Sequence, residues 1–178
     1  MGQHIRAAMI ELRPLTLENV LTVLPWRREY RETLRTPYML TEEMQADYYK
    51  NVICNRESRT RYWGVWEGDA FVGYGGLENI SWENGNAEIS LLIGPEYQRK
   101  GYGKEAVRAF LAEAFGHMRL HAVFGECYKC GPWRFWAKLG NVDPLDEADM
   151  LGRCLPARKY HDGQFWDSYY FTFYEPIG

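Results

Sequence analysis

Between β-like and helix-like segments the chain reads Gln98-Arg99-Lys100-Gly101-Tyr102-Gly103-Lys104, two glycines one residue apart in the company of three cations. Glycine lets a backbone approach a ligand closely and adopt conformations that turn successive N–H groups inward. A helix starting at about Lys104 would aim the positive end of its dipole at the same spot. The chemistry served by such a segment is the holding of a pyrophosphate on backbone amides, with Arg99, Lys100 and Lys104 adding charge. Two other phosphate loops fit poorly. A Walker loop follows its Gly-Lys with Ser or Thr, and here Glu105 stands in that place. A dinucleotide fingerprint opens a βαβ unit and carries a third glycine, whereas this loop has Ala106 there and follows what read as antiparallel hairpins.

The other reactive side chains form no comparable group. Cys127-Tyr128-Lys129-Cys130 has the spacing of half a zinc site or of a redox pair, but Cys154 and His161 are the only downstream partners and their spacing is irregular. No metal is expected, and the two thiols read as half-buried groups at a strand end. His4, His117, His121 and His161 show neither triad nor ligand spacing. With 21 Lys and Arg against 24 Asp and Glu, the net charge of −3 speaks against a nucleic-acid partner, which needs a clustered surplus of cations. No apolar run approaches eighteen residues, so no membrane span is expected. The segment from Met1 to Arg6 lacks an apolar core for a secretion signal, and Arg6 stands where a myristoylation signal has Ser or Thr. Free thiols and a cytoplasmic location follow as expectations.

The elements that must position the loop can be traced by periodicity. Ile10 to Leu15 alternates as a short strand that ends at Pro14-Leu15, and a capped helix is expected from Leu17 to Leu24. Pro25 should break or kink it before Trp26 to Thr33. A second helix opens at Thr41-Glu42-Glu43, with Met44, Tyr48, Tyr49 and Val52 at helical spacing. Strands follow at Arg61 to Trp66 and Ala70 to Leu77, joined by a Glu67-Gly68-Asp69 turn, and then, after Glu83-Asn84-Gly85-Asn86, at Ala87 to Ile93. Beyond the loop, Lys104 to Phe115 is a helix and His121 to Cys127 a strand. A short helix with Pro132 in its first turn and Gly140 past its end comes next. Asp143 to Asp149 reads as an acidic loop, and Phe165 to Tyr174 as a paired closing strand. Neither linker nor repeat divides residues 1–178, so one mixed α/β (α+β) domain is expected.

Taken with its flanks, the glycine loop resembles that of the GNAT family of acyl-CoA-dependent N-acetyltransferases, in particular the branch like the ribosomal-protein N-terminal acetyltransferases. The residues that carry the likeness are Ala87-Glu88-Ile89 in the strand, Gly94-Pro95-Glu96-Tyr97, the pattern Gln98-Arg99-Lys100-Gly101-Tyr102-Gly103, and Phe135-Trp136-Ala137-Lys138-Leu139-Gly140. The order of elements from Ile10 to Tyr174 is similar too. The resemblance implies a mixed, mostly antiparallel twisted sheet flanked by helices, with a splayed strand pair where coenzyme A binds. It implies acetyl-CoA as co-substrate, pantetheine against Leu91, Leu92 and Ile93, pyrophosphate on the amides of Arg99 to Lys104, and Gln98 among the cofactor-binding residues. Acetyl transfer to a primary amine, on a small molecule or a peptide N-terminus, would proceed by direct attack in a ternary complex.

The family's strand glutamate maps onto Glu88 as general base, a role suited to a carboxylate in a half-buried strand. The family's thiolate-protonating tyrosine maps onto Trp136, whose indole is no acid, and the asparagine that often opens that helix maps onto Lys129. Tyr128 is the substitute proton donor expected nearby. A GNAT-shaped module that binds acyl-CoA or a protein without turnover is the alternative reading that these departures keep open. Glu78, Glu83 and Glu88 would favour a cationic acceptor, and a few of the rings among Trp26, Tyr30, Tyr38, Tyr48, Trp63, Trp66, Trp82 and Trp133 would line its cleft. A monomer or homodimer is expected.

Overall fold

The computed structural model describes residues 10–36, 38–139 and 153–175. A capping box starts the first helix: Thr16 Oγ1 accepts from the Asn19 amide at 3.2 Å, and Asn19 Oδ1 accepts from the Thr16 amide at 3.1 Å. Strand β1 (Glu11–Pro14) leads into α1 (Leu17–Thr22), and Val23 closes it while opening α2 (Leu24–Glu29). Pro25 therefore sits in the first turn of a new helix, where its missing N–H is harmless, and does not kink an older one. Helix α3 (Glu42–Tyr48) is capped by Thr41 and runs on as one wide turn, Tyr49–Ile53. Then come β2 (Arg61–Glu67), β3 (Ala70–Ser81), β4 (Asn86–Ile93), α4 (Tyr102–Ala112), β5 (Ala122–Tyr128), α5 (Trp133–Leu139), β6 (Arg153–His161) and β7 (Gln164–Tyr174).

The seven strands of the described residues form one sheet in the order β1-β2-β3-β4-β5-β7-β6. Every pairing is antiparallel except β4 with β5, the two strands that α4 connects. Both faces are covered. On one, Ala106, Val107, Phe110 and Leu111 of α4 pack against Val65, Leu77 and Ile89, and Trp136 of α5 stacks on Phe171 at 4.7 Å between ring centres. On the other, Val20, Val23 and Trp26 from the first two helices pack with Leu15 and Tyr74. The mixed sheet with flanking helices matches the architecture expected from sequence.

Two strands differ from the sequence reading. Strand β3 continues four residues past Leu77, through a register shift between Glu78 and Ser81 where Asn79 takes φ +52°. Strand β6 was not anticipated. It is an exposed edge carrying Arg153, Pro156, Arg158 and Lys159, broken by a bulge with Ala157 at φ +51°, so it lacks the apolar alternation that marks a buried strand. The expected termini of the chain, Gly140 and the acidic stretch Asp143 to Asp149 lie outside the described residues.

Candidate active site

Strands β4 and β5 pair over only three positions, Asn86 with Ala122, Ala87 with Val123 and Glu88 with Phe124. Beyond Glu88 they part, although β4 continues to Ile93 and β5 to Tyr128. Among the described residues, the divergence leaves the outer edge of β4 without a neighbouring strand from Ser90 onward and opens a cleft of about 1700 Å³. Leu91, Leu92 and Ile93 all line it, as do Gln98, Arg99, Gly101, Gly103 and Lys104.

The loop reaches the cleft through its backbone. Gly101 is the N-cap of α4 and holds φ at +93°, a conformation natural to glycine, and no side chain caps the helix there. The carbonyl of Gly101 accepts from the amides of Lys104 and Glu105, at 3.1 and 3.2 Å. Gly101, Gly103 and Lys104 at the start of α4 line the cleft, so the positive end of the helix dipole lies there, beside Arg99, which also holds positive φ at +62°. A Cβ on Gly103 would stand 3.2 Å from the Phe135 ring, so bare backbone keeps this corner open. A pyrophosphate joined to an extended arm fits these residues: anion at the helix start, arm along the free edge of β4. Two loop side chains point elsewhere. Lys100 lies over the Tyr97 ring, 5.6 Å from its centre, and the buried Tyr102 donates its hydroxyl proton to Glu67. Gln98 bridges the cleft wall, donating to the Ile93 carbonyl at 3.1 Å and to Tyr30 Oη at 3.2 Å.

The opposite half of the cleft is built on the sheet face that carries Tyr62, Tyr74, Glu78, Glu88, Glu126 and Tyr128. Glu78 and Glu88 are direct partners across β3 and β4. Glu88 is buried; Arg35 forms an ion pair with Oε1, and Asn79 donates to Oε2 at 2.9 Å. The same guanidinium reaches Glu126 Oε2 on β5 at 3.4 Å, so Arg35 spans the split from one strand to the other. Glu126 also accepts from Ser168 at 2.6 Å and from Arg158 at 3.1 Å. Burial works against its charge, but these donors hold its carboxyl below the usual range. Glu78 lies the other way: burial raises it, only partly opposed by the hydroxyl of Tyr62, which donates to Oε2 at 2.7 Å. Burial likewise pushes Tyr48 and Tyr62 upward, so both remain hydroxyl donors at any physiological pH.

Among the sequence-derived residues, Glu88 and Tyr128 do come together in the cleft with the glycine loop. Tyr128 carries Lys159 Nζ 5.2 Å from its ring centre. Trp136 is buried against Phe171 and belongs to the core as much as to the cleft wall. Glu83 sits exposed in the β3–β4 turn, outside the cleft lining, and Trp82 beside it is also exposed. Of the rings named from sequence, Tyr30, Tyr38 and Tyr48 line the cleft, while Trp26 and Trp63 pack into the two cores. Cys127 borders the cleft, and burial pushes its thiol up to about 12. Among the described residues no cluster of three or more His, Cys, Asp or Glu could hold a metal, and no helix is long and apolar enough to cross a membrane. Arg27, Arg35, Tyr62 and Tyr74 were missed; the one available signal was the two-residue alternation that puts Tyr74 and Glu78 on one face of β3.

Known proteins agree with this geometry. Over 90 residues the chain is 30% identical to the uncharacterized N-acetyltransferase YnaD of Bacillus subtilis (strain 168), a stretch covering 49% of this chain and 48% of that protein, so the match spans about half the relative's length. The structure of a spermidine N-acetyltransferase from Vibrio cholerae, in complex with CoA and spermine, superposes with a TM-score of 0.80 at 17% identity, over 94% of this chain and 96% of the other. A dodecameric structure of spermidine N-acetyltransferase from the same organism, in an intermediate state, gives 0.75 at 18% identity over 94% and 95%. The pattern of the acetyltransferase (GNAT) domain matches residues 10–129, which hold the split strands, the glycine-capped helix and both facing carboxylates. By that match, the chain belongs to the GNAT acetyltransferase family.

Proposed function

We propose that the protein transfers the acetyl group of acetyl-CoA to a primary amine, by direct attack in a ternary complex. The observation that carries this reading is the parting of β4 and β5 directly in front of a glycine-capped helix start. An extended thioester arm can lie in the gap with its phosphates on the helix and its carbonyl beside the carboxylates. The amine enters from the face of Tyr62, Tyr74 and Glu78. Its nitrogen must lose a proton before it can attack, and the Glu78–Glu88 pair is the proton acceptor at hand. Tyr128, at the end of β5, is the donor for the departing thiolate. A free cysteine thiol has a pKa near 8.5, and an alkyl thiolate such as that of coenzyme A is likewise a far weaker base than an amide or alkoxide leaving group, so that step needs only modest help. The core placement of Trp136 is the one observation that favours a weakly active binding module instead.

Spermidine, the substrate named for the Vibrio cholerae enzyme, is one member of the acceptor class to try, beside peptides with a free N-terminus. The working unit is a single domain of residues 1–178, active as a monomer or homodimer in the cytoplasm; light scattering on the purified protein checks the assembly. The test of function is release of thiol from acetyl-CoA in the presence of an amine panel, with calorimetric binding of acetyl-CoA measured in parallel. Amine-dependent release supports acetyl transfer. Tight binding without release under any amine would leave the binding module, and no binding at all would overturn both readings.

A further inference from the structure

The two carboxylates at the fork of the cleft are neighbours in the sheet, yet their surroundings differ sharply. Both oxygens of Glu88 are engaged, Oε1 by Arg35 and Oε2 by Asn79, and the side chain is buried. A carboxylate so held turns both oxygens to Arg35 and Asn79, away from an amine entering the cleft. Among the described residues Glu78 forms no ion pair; it accepts a hydrogen bond from Tyr62 at Oε2 and lines the cleft while only partly buried. We propose that Glu78 is the catalytic base of acetyl transfer, and that Glu88 is a positioning residue that anchors Arg35 across the fork.

The groups facing Glu78 from each packed element are consistent with that division. Tyr62 on β2 donates a hydrogen bond, Glu88 on β4 repels its charge, Arg27 on α2 and Arg35 on the following segment attract it, and Tyr48 on α3 remains neutral. Burial is the largest influence and makes Glu78 a stronger proton acceptor than an exposed carboxylate. In the step itself, one ammonium proton passes to Glu78 Oε1 and frees the lone pair on nitrogen. That pair forms the C–N bond to the thioester carbonyl carbon, and the C–S bond breaks with its electrons on sulfur. The second proton passes from nitrogen to water as the amide forms, and the thiolate takes up one proton, from Tyr128, which regains it from water, or from water directly; Glu78 then releases its proton to solvent. This inference rests on the acetyltransferase reading above.

The test uses the amine with the highest turnover among spermidine, L-lysine and the peptide Ala-Ala-Ala, with kcat/KM followed against pH. Glu78→Gln should lose roughly 10²–10⁴-fold in kcat/KM at neutral pH, with the loss narrowing toward the pKa of the amine. Its acid limb should move up to the pKa of the amine while acetyl-CoA affinity stays at the wild-type value. Glu78→Asp, which retains a carboxylate, should keep the limb. Glu88→Gln should keep it as well, moved to lower pH, because a negative neighbour is gone while Arg35 and Arg27 still attract the charge of Glu78. A wild-type acid limb in Glu78→Gln, or its move up to the pKa of the amine in Glu88→Gln alone, overturns the assignment. Absence of turnover by the wild-type protein despite acetyl-CoA binding would instead overturn the reading on which it rests, and the assignment with it.

Discussion

Gly101 is the residue on which the proposed cofactor site turns. Its φ of +93° disfavours any side chain, and it stands at the start of α4, where the proposed site holds the phosphates. Gly101→Asp, which adds both bulk and negative charge, should abolish acetyl-CoA binding in a calorimetric titration while the circular dichroism spectrum is retained. Arg99→Ala should weaken the same binding by only about 1 kcal/mol, because an exposed charge contact is screened by solvent. The thiols offer a separate check. Cys54 and Cys154 are exposed, whereas burial raises Cys127 to about 12, so iodoacetamide at pH 8 should label the first two and spare Cys127 in a peptide-resolved mass spectrum. The loop was legible in the sequence because its logic is local: glycines, cations and a helix start within seven residues. Arg35 was not, because nothing near it in sequence announces a partner; Glu88 and Glu126 lie 53 and 91 residues further on and meet it only through the sheet.

At the scale of elements, the cleft depends on how tightly β3 lies against β4. A Cβ on Gly75 would stand 2.2 Å from the Ser90 carbonyl oxygen and 2.9 Å from Leu91 Cα, both backbone atoms that cannot swing aside. Gly75→Ala must therefore displace β4, and overpacking of this kind typically costs about 1–3 kcal/mol. Urea unfolding should show that loss, and acetyl-CoA affinity should fall with it, because the displaced strand is the cleft wall. Helix α5 is held chiefly by Trp136 on Phe171; Trp136→Ala should destabilise the fold by about 3–5 kcal/mol. The central strands and α4 were readable from apolar alternation and from the change of period after Gly94. The edge strand β6 was not, since an exposed strand has no buried face to write into its sequence. The same lack of a long-range signal hid the parting of β4 from β5, which only the family resemblance implied.

For the whole molecule, the two oppositely shifted carboxylates make stability depend on pH in opposite senses. Glu126 is held below its ordinary value, so its contribution is present above the unfolded pKa of about 4.3 and is lost as pH falls through the folded value. Glu78 is raised, so its contribution is complete below about 4.3 and is lost as pH rises through its folded value. At neutral pH the ionised Glu78 is thus a burden on the fold. Glu78→Gln should melt higher than wild type at pH 7, with the difference closing below about pH 4 in a series of calorimetric scans. Acetyl-CoA at a hundred times its dissociation constant should add about 2.7 kcal/mol of apparent stability.

The brevity of the contact between β4 and β5 has a mechanical consequence. With three paired positions and the Arg35 tie, the sheet is two panels, β1 to β4 and β5 to β7 with β6, joined along a short seam. Such a seam is the natural place for the panels to breathe. The amides of β4 beyond Glu88 that face the gap have no strand to shield them, so they should exchange with solvent deuterium ahead of those paired to β3. A molecule lying in the gap takes the place of the missing strand and stitches the panels together. Its arrival should therefore be felt as slowed exchange in β5 and β7 as well as in β4, at backbone positions it never touches.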